Sequence, residues 1–241
     1  MQNKPLTIAE PIQLWFSKIG DSTVFVEEAI KGWLSVSEGK RLKRTGSINK
    51  RREFLLSRAL MRHALSQKFK CPESEWKFIE TLNSMPEIAN LPKNIHLSLT
   101  HSHGVICFAI SSCPVGIDIE SKNKRRDFLG LAETVMSEKE VQHLSQDNRM
   151  ATEAFYRIWC VKEAFYKAIP AQQQAQLSFK EIPALSLLNN ELAWFLVEYK
   201  VEQFILSVLT KDAVEKIESY HFPATQRPID VKLEVYNKPV G

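Results

Sequence analysis

The sequence predicts an α+β fold, in which helices and antiparallel strands alternate along the chain. Apolar runs typical of strands lie at 95–99, 105–110, 115–119, 192–198 and 204–209. Apolar residues recur at helical spacing at 52–68, 137–146 and 149–169. The first three strand segments are joined by short turns, which is typical of antiparallel neighbours. This mixture of helices and antiparallel strands predicts the α+β class.

Two halves that meet near Pro114 would each contain helices and strands, so we predict domains at 1–114 and 115–241. A loop is predicted at 83–94, where Pro86, Pro92 and several asparagines interrupt the helical pattern. The sequence has no long linker, low-complexity tract or clear internal repeat.

The composition is that of a soluble globular protein, with 241 residues, 44% apolar and 25% charged. Residues 1–12 contain no unbroken apolar stretch, so we expect neither a secretion signal nor a membrane span, and a cytoplasmic location. The cysteines are scattered without the close pairing of zinc or redox motifs, which indicates reduced, mostly buried thiols.

Basic residues are concentrated at 40–52, within a chain of net charge +4. Such a cluster indicates a polyanionic partner, whether a nucleotide, a nucleic acid or an acidic protein. A nucleic-acid-binding module would show steep salt dependence on generic DNA. The sequence contains no zinc-binding or RNA-binding pattern that would support this alternative. A nucleic-acid-binding function would also leave the acidic residues described next unexplained. We therefore expect no nucleic-acid partner.

Two carboxylates share one face of the strand predicted at 115–119. The strand period of two places Asp118 and Glu120 on one face and Ile117 and Ile119 on the other. A hard cation such as Mg²⁺, which takes oxygen ligands and bridges substrate phosphates, would relieve the repulsion between them. The alternative is a solvated polar face of an ordinary strand.

The helix predicted at 149–169 places Lys162 within its apolar stripe. A lysine there either extends outward along the edge of the stripe or meets an anion, because burying an unpaired ammonium is costly. Glu163 and Lys167 lie one turn apart on the flank of the stripe. By themselves they indicate an exposed ion pair, which stabilises a helix by about 0.2–0.5 kcal/mol.

In combination these segments resemble a known family. GIDIE at 116–120 is followed by WCVKEAFYK at 159–167, and this ordered pair is similar to the signature of the 4′-phosphopantetheinyl transferase superfamily. The length of the chain and its upstream segments resemble the Sfp-type branch. The resemblance covers roughly residues 40–167.

The resemblance implies an enzyme that transfers the phosphopantetheine arm of coenzyme A to a serine of an apo acyl or peptidyl carrier protein. Adenosine 3′,5′-bisphosphate would leave, as in holo-acyl-carrier-protein synthases. The resemblance assigns Asp118, Glu120 and Glu163 to Mg²⁺. Glu163, directly or through water, takes the proton of the serine, and Lys162 and Lys167 act near the phosphates as catalytic residues.

The resemblance also implies a set of contacts to coenzyme A. They are Lys40, Lys43, Arg51, Arg58, Thr100, His101, Ser102, Lys162 and Lys167. Arg51 and Arg52 are interchangeable candidates. From the residues alone, the basic side chains could equally form a solvated helix face, and His101 could be an ordinary turn histidine.

The chain departs from the family pattern at two points. SMP at 84–86 stands where the family often has Gly-Lys-Pro, which removes a phosphate-facing lysine. Ser137 and Glu140 resemble a Ser-X-X-Glu segment whose glutamate has been given a catalytic role, but the same spacing is a helix capping box, and we favour the cap.

The family fold is a pseudo-dimer of two similar halves with coenzyme A between them, and the resemblance implies a monomer without membrane contact. Carrier proteins are acidic, which suits the basic surface. Carriers of fatty-acid, polyketide and peptide synthases are all compatible with these residues.

The remaining alternatives are a silent member that only binds coenzyme A and a nucleotide hydrolase. Retention of all three carboxylates argues against the first, and the lack of a phosphate-binding loop among 8 glycines argues against the second.

Overall fold

The structure is a computed structural model, and it describes residues 10–20, 23–81, 84–122, 128–145 and 151–223. No helix in these ranges is both long enough and apolar enough to cross a membrane.

The first half of the chain forms a sheet with three helices packed beside it. Its elements are β1 Ile12–Lys18, α1 Thr23–Lys31, α2 Val36–Arg44, α3 Ile48–Phe69, β2 Phe78–Ile79, β3 Glu87–Ile88, β4 His96–Ser102 and β5 Val105–Ser111. Strands β4 and β5 form an antiparallel hairpin, and β5 also pairs antiparallel with β1. The two-residue strands β2 and β3 pair only with each other among the described strands.

The second half repeats this plan with a three-stranded sheet. Its elements are β6 Val115–Ser121, α4 Phe128–Val135, α5 Glu138–Ser145, α6 Ala151–Ala168, α7 Ala171–Gln174, α8 Ala184–Leu188, β7 Phe195–Val201, β8 Phe204–Thr210 and β9 Ile217–His221. Strands β7 and β8 form the hairpin, and β8 pairs antiparallel with β6. The last strand, β9, pairs parallel with β1 and so belongs to the first sheet.

Both halves therefore have the order strand, helices, hairpin. In each half the second strand of the hairpin lies between the first hairpin strand and the opening strand, since the sheet orders are β4-β5-β1-β9 and β6-β8-β7. The predicted α+β class is confirmed. A division into domains at Pro114 stays a prediction, and the return of β9 to the first sheet ties the two halves together.

The segments with a clear apolar periodicity form the helices and strands that were predicted for them. The strands predicted at 95–99, 105–110 and 115–119 are β4, β5 and β6, and the helices predicted at 52–68 and 149–169 correspond to α3 and α6, apart from residues 149 and 150, which lie outside the described residues. The loop predicted at 83–94 contains the short strand β3. Strands β1 and β9 were not predicted.

Helix α6 lies directly on the second sheet, because Gly116 of β6 leaves room for the backbone of the helix. A Cβ atom at Gly116 would lie 1.8 Å from the carbonyl oxygen of Ala164 and 2.7 Å from the amide nitrogen of Ala168. Backbone atoms cannot rotate away as a side chain would, so only glycine permits this approach. The approach fixes the distance between the strand with Asp118 and the helix with Glu163.

We therefore predict that Gly116→Ala lowers the free energy of unfolding by about 3 kcal/mol, the upper range for forced overpacking. Denaturant unfolding followed by circular dichroism measures the loss. Gly39→Ala is the matched control, because a Cβ at Gly39 of helix α2 meets nothing within 4 Å. In that helical position alanine should stabilise the protein by up to about 1 kcal/mol. Equal effects of the two replacements would contradict the role given to Gly116.

Candidate functional site

The two sheets meet at a seam between the edge strands β4 and β6. Ser98 and Thr100 alternate along β4, and their hydroxyl oxygens accept hydrogen bonds from the backbone N–H groups of Ile117 (3.0 Å) and Ile119 (3.2 Å). Side chains of β4 thus accept hydrogen bonds from backbone N–H groups on the open edge of β6. At such an edge, strands usually pair through their backbones.

The same seam holds the acidic side chains of β6. The hydroxyl of Thr100 donates to Oδ1 of Asp118 at 2.8 Å, and the hydroxyl of Ser102 donates to Oε2 of Glu120 at 2.9 Å. The alternation that supplies hydroxyls at 98, 100 and 102 therefore also orients both carboxylates. His101 lies on the opposite side of β4 from these hydroxyls, since successive side chains of a strand alternate.

Beside the seam lies a cleft of about 930 Å³, lined by helices α2 and α3 from the first half and α6 from the second, together with β4 and β6. Its basic lining residues are Arg41, Lys50, Arg58, His101 and Lys167. Its acidic lining residues are Glu53, Asp118, Glu120 and Glu163. Acidic side chains of the second half thus face mostly cationic side chains of the first.

The predicted metal ligands Asp118, Glu120 and Glu163 all line this cleft, and Asp118 and Glu163 contact the same lysine. Lys167 donates to Oδ1 of Asp118 at 2.7 Å, and its Nζ lies 3.7 Å from Glu163. The other oxygen of Asp118, Oδ2, is buried and has no hydrogen-bond partner among the described residues. Within that part of the chain no three acidic, histidine or cysteine side chains are already gathered around one ion position. The Lys167 ammonium is the cation between Asp118 and Glu163.

Burial and this lysine act in opposite directions on the pKa of Glu163. Burial raises the pKa of Glu163, and the nearby Lys167 offsets part of that rise. Burial by itself would lower the pKa of Lys167, but Asp118 and Glu163 outweigh it, so the pKa of Lys167 is raised. Lys167 therefore stays an ammonium, and Glu163 is a stronger base than an exposed glutamate.

On the opposite wall, two arginines share one carboxylate. Glu80 accepts hydrogen bonds from Arg41 (2.5 Å) and Arg58 (2.7 Å), and the Arg58 side chain is only 3% exposed. Beside them, Nδ1 of His101 lies 2.8 Å from Glu53, and this contact lowers the pKa of Glu53. Of the predicted coenzyme A contacts, Arg58, Thr100 and His101 line the cleft, whereas Ser102 lies beside it, hydrogen-bonded to Glu120.

Lys162 lies on the far side of α6, away from the cleft. Its side chain is 0% exposed, its Nζ is 2.9 Å from Glu140, and it donates to the backbone carbonyls of Phe179, Lys180 and Ile182. Burial lowers the pKa of Lys162, and the hydrogen bond with Glu140 offsets part of that change. The expected phosphate contact by Lys162 therefore has no support in this geometry, because the anion that meets this lysine is Glu140.

Glu140 is the helix cap favoured from the sequence. It accepts from the N–H of Ser137 at 2.7 Å, and its own N–H donates to the hydroxyl of Ser137 at 3.4 Å, at the start of α5. The first half contains the same device at Ser35 and Glu38, where Glu38 is buried and receives two hydrogen bonds from Arg62 of α3. Each half thus joins a capping box to a cation of its long helix.

Three further basic candidates lie outside the cleft lining. Lys40 and Lys43 are exposed on α2, and Arg51 donates to the backbone carbonyls of Leu42 and Thr45, which fixes the end of α2. Arg41 and Lys50, their neighbours in sequence, line the cleft instead. The basic cluster indicated the right segment, but the orientation of each helix selects which of its cations face the cleft.

Part of the chain is similar to known proteins. Residues 114–221 match the family model described as the 4′-phosphopantetheinyl transferase superfamily. The chain is 32% identical over 141 residues to 4′-phosphopantetheinyl transferase psf-1 of Bacillus pumilus, covering 58% of this chain and 59% of that protein. It is 33% identical over 114 residues to 4′-phosphopantetheinyl transferase Sfp of Bacillus subtilis (strain 168), covering 47% of this chain and 50% of that protein. The chain thus spans about half to three fifths of the length of these curated relatives.

The placement of Lys162 predicts that Glu140→Gln lowers the free energy of unfolding by about 3–5 kcal/mol, because a buried ammonium loses its counter-ion. Denaturant unfolding measures the loss. Glu181→Gln is the matched control, since Glu181 closes a similar capping box with Ser178 but is exposed. That control should cost about 1 kcal/mol or less. A similarly small loss for Glu140→Gln would contradict a structural role for the pair.

Proposed function

Because residues 114–221 match the family model of the 4′-phosphopantetheinyl transferase superfamily, we propose that the chain is a transferase of this family and modifies carrier proteins. The proposed reaction transfers the 4′-phosphopantetheine arm of coenzyme A to a serine of an apo acyl or peptidyl carrier protein. The observation that supports it most is one cleft in which Asp118, Glu120, Glu163 and Lys167 face a cationic wall from the other half.

The acidic side of the cleft suits Mg²⁺. Asp118, Glu120 and Glu163 would hold it, because all three offer carboxylate oxygens, the ligands that Mg²⁺ prefers. The buried Oδ2 of Asp118 has no partner among the described residues, and a lysine ammonium already lies between Asp118 and Glu163. When bound, the ion would neutralise phosphate charge and polarise the phosphorus under attack.

In the transfer itself, the serine Oγ of the carrier forms a bond to the β-phosphorus of coenzyme A as the bond to the leaving 3′,5′-bisphosphate breaks. Glu163 takes the serine proton, directly or through water, and its raised pKa suits it to this role. Lys167, which stays protonated, stabilises the charge that develops on the phosphate oxygens.

The cationic wall would bind the remaining charge of coenzyme A. Lys50 and Arg58 of α3 and His101 of β4 line the cleft. Strand β4 belongs to the first sheet, and α3 packs against that sheet. Charge-assisted hydrogen bonds from several cations suit a ligand with several phosphates. Carrier proteins that are acidic would be attracted to the exposed basic residues of α2 beside the cleft.

The first functional prediction is metal dependence. Transfer should stop in excess EDTA and return when Mg²⁺ exceeds the chelator, because three carboxylates of one site would otherwise repel the phosphates. Intact mass of an apo-carrier incubated with coenzyme A measures the transfer. Circular dichroism in the same buffers checks that the protein stays folded. Undiminished transfer in excess EDTA would contradict the metal assignment.

The second prediction concerns Glu163, which combines the roles of metal ligand and base. Glu163→Gln keeps the shape but removes charge and basicity, so turnover should fall by about 10²- to 10⁴-fold or more, while coenzyme A binding weakens only partly. Glu153→Gln is the matched control on the same helix, since Glu153 pairs with Lys122 and its side chain is exposed to 26%, against 29% for Glu163. Near-normal turnover in Glu163→Gln would contradict the mechanism.

A further inference from the structure

The hydroxyl groups of Thr100 and Ser102 lie close to two kinds of group that could use them, the carboxylates of β6 and a phosphate in the cleft. Both residues are nearly buried, with 3% and 7% exposure. A hydroxyl has a single proton to donate, although its oxygen can accept twice. An ionised carboxylate and a phosphate ester are both acceptors, so they compete for that one proton.

The proton of Thr100 is already directed to Asp118. A backbone N–H can only donate, so the 3.2 Å contact from the N–H of Ile119 occupies a lone pair of the Thr100 hydroxyl oxygen. The hydroxyl proton points instead to Oδ1 of Asp118, at 2.8 Å. Because Thr100 has no second proton, it cannot donate to a phosphate while this hydrogen bond persists.

Ser102 has the same arrangement two residues further along the strand. Its hydroxyl donates to Oε2 of Glu120 at 2.9 Å, and Nδ1 of His103 lies 3.1 Å from the same hydroxyl oxygen. Because the serine proton goes to the carboxylate, Nδ1 of His103 is the donor in the second contact. His103, Ser102 and Glu120 therefore form one chain of hydrogen bonds that runs in a single direction and ends on the carboxylate.

Thr100 and Lys167 donate to the same oxygen of Asp118, namely Oδ1, at 2.8 Å and 2.7 Å. The other oxygen, Oδ2, is buried and has no hydrogen-bond partner within the described ranges. A buried carboxylate oxygen without a donor costs free energy unless a cation meets it. Thr100 therefore holds the carboxylate in an orientation that leaves Oδ2 for a metal ion.

We propose that Thr100 and Ser102 are positioning residues for the metal ligands Asp118 and Glu120, and that their hydroxyl groups set the affinity of the site for a divalent cation. This inference rests on the proposed function. It gives the two hydroxyl groups to the carboxylates and not to the phosphates of coenzyme A, where the family resemblance placed them. Replacing a residue that orients a metal ligand typically lowers metal affinity about 10- to 100-fold.

Ser98 is the matched control on the same strand. It is 3% exposed, and its hydroxyl accepts from the N–H of Ile117 at 3.0 Å, as that of Thr100 accepts from Ile119. Among the described hydrogen bonds it has none to a carboxylate. Ser98→Ala and Thr100→Val should both lower the free energy of unfolding, because each leaves a buried N–H without a partner. Only Thr100→Val should also weaken metal binding.

The first measurement is the dissociation constant of Mn²⁺, used in place of Mg²⁺, for the protein saturated with coenzyme A. Electron paramagnetic resonance counts the free ion. Thr100→Val and Ser102→Ala should each raise this constant about 10-fold or more, and Ser98→Ala less than about twofold. Thr100→Ser keeps the hydroxyl and should restore most of the affinity, which a merely destabilised protein would not do. Unchanged Mn²⁺ binding in Thr100→Val or Ser102→Ala, or an equal loss in Ser98→Ala, would overturn the inference.

The second measurement is the dissociation constant of coenzyme A in excess EDTA, by calorimetry. Hydroxyl groups that act through the metal ligands should leave this constant within about twofold of the wild-type value when no metal is bound. Hydroxyl groups that donate to a phosphate should instead raise it about tenfold, the loss expected for a hydrogen bond to a charged group. A loss of that size in Thr100→Val would overturn the inference in favour of a phosphate contact.

This inference and the proposed function fail in different ways. A wild-type protein that binds no Mn²⁺ in the presence of coenzyme A would overturn the metal assignment and this inference together. A wild-type protein that binds Mn²⁺, combined with variants that bind it equally well, would overturn this inference alone. If Thr100→Val does not fold, Ser102→Ala decides the outcome, because the described contacts of the Ser102 hydroxyl include no backbone N–H that its loss would leave unpaired.

Discussion

The arrangement of the cleft depends on the seam between β4 and β6. Both are edge strands, and edge strands of two sheets would ordinarily pair through their backbones. Here the hydroxyl groups of Ser98 and Thr100 accept hydrogen bonds from two backbone N–H groups of β6. Side chains therefore lie between the two sheets at this point. The Thr100 hydroxyl also donates to Asp118, and the hydroxyl of Ser102, the next residue on this face, donates to Glu120. One alternating strand therefore both joins the halves and orients the acidic residues.

A second constraint fixes the helices that supply the rest of the cleft. In each half a Ser-X-X-Glu capping box buries its glutamate against a cation of the long helix, Glu38 with Arg62 and Glu140 with Lys162. Breaking a buried pair is costly because it leaves a charge without a partner. The first pair sets the rotation of α2, and thereby which cation faces the cleft. The second joins α5 to α6 and holds Lys162 away from the cleft, whereas the next residue, Glu163, lines it.

These interactions explain which features the sequence could predict. The period of a strand places Asp118 and Glu120 on one face, and the period of a helix places Glu163 and Lys167 one turn apart. Only the resemblance to a family signature joined these two pairs into one predicted site, because no local pattern relates segments about forty residues apart. The partner of Lys162 lies 22 residues away in sequence, and Glu80 lies 39 residues from Arg41, so neither contact follows from periodicity. Strand β9, with few apolar residues, exists because β1 offers it a free edge. Contacts and strands of this kind depend on pairing between residues that are far apart in the sequence.

Under the proposed function, ligand binding in this cleft would be an exchange of partners. Arg41 and Arg58 contact Glu80, His101 contacts Glu53, and Lys167 contacts Asp118. A carboxylate in contact with each cation keeps that cation oriented and partly desolvated, which lowers the cost of ordering it around a phosphate. The same carboxylates compete with any anion of low charge. Under the proposed function, a ligand with several phosphates and a divalent cation bound by the carboxylates would overcome this competition at several points at once. The cleft should accordingly discriminate against anions that make only one such contact.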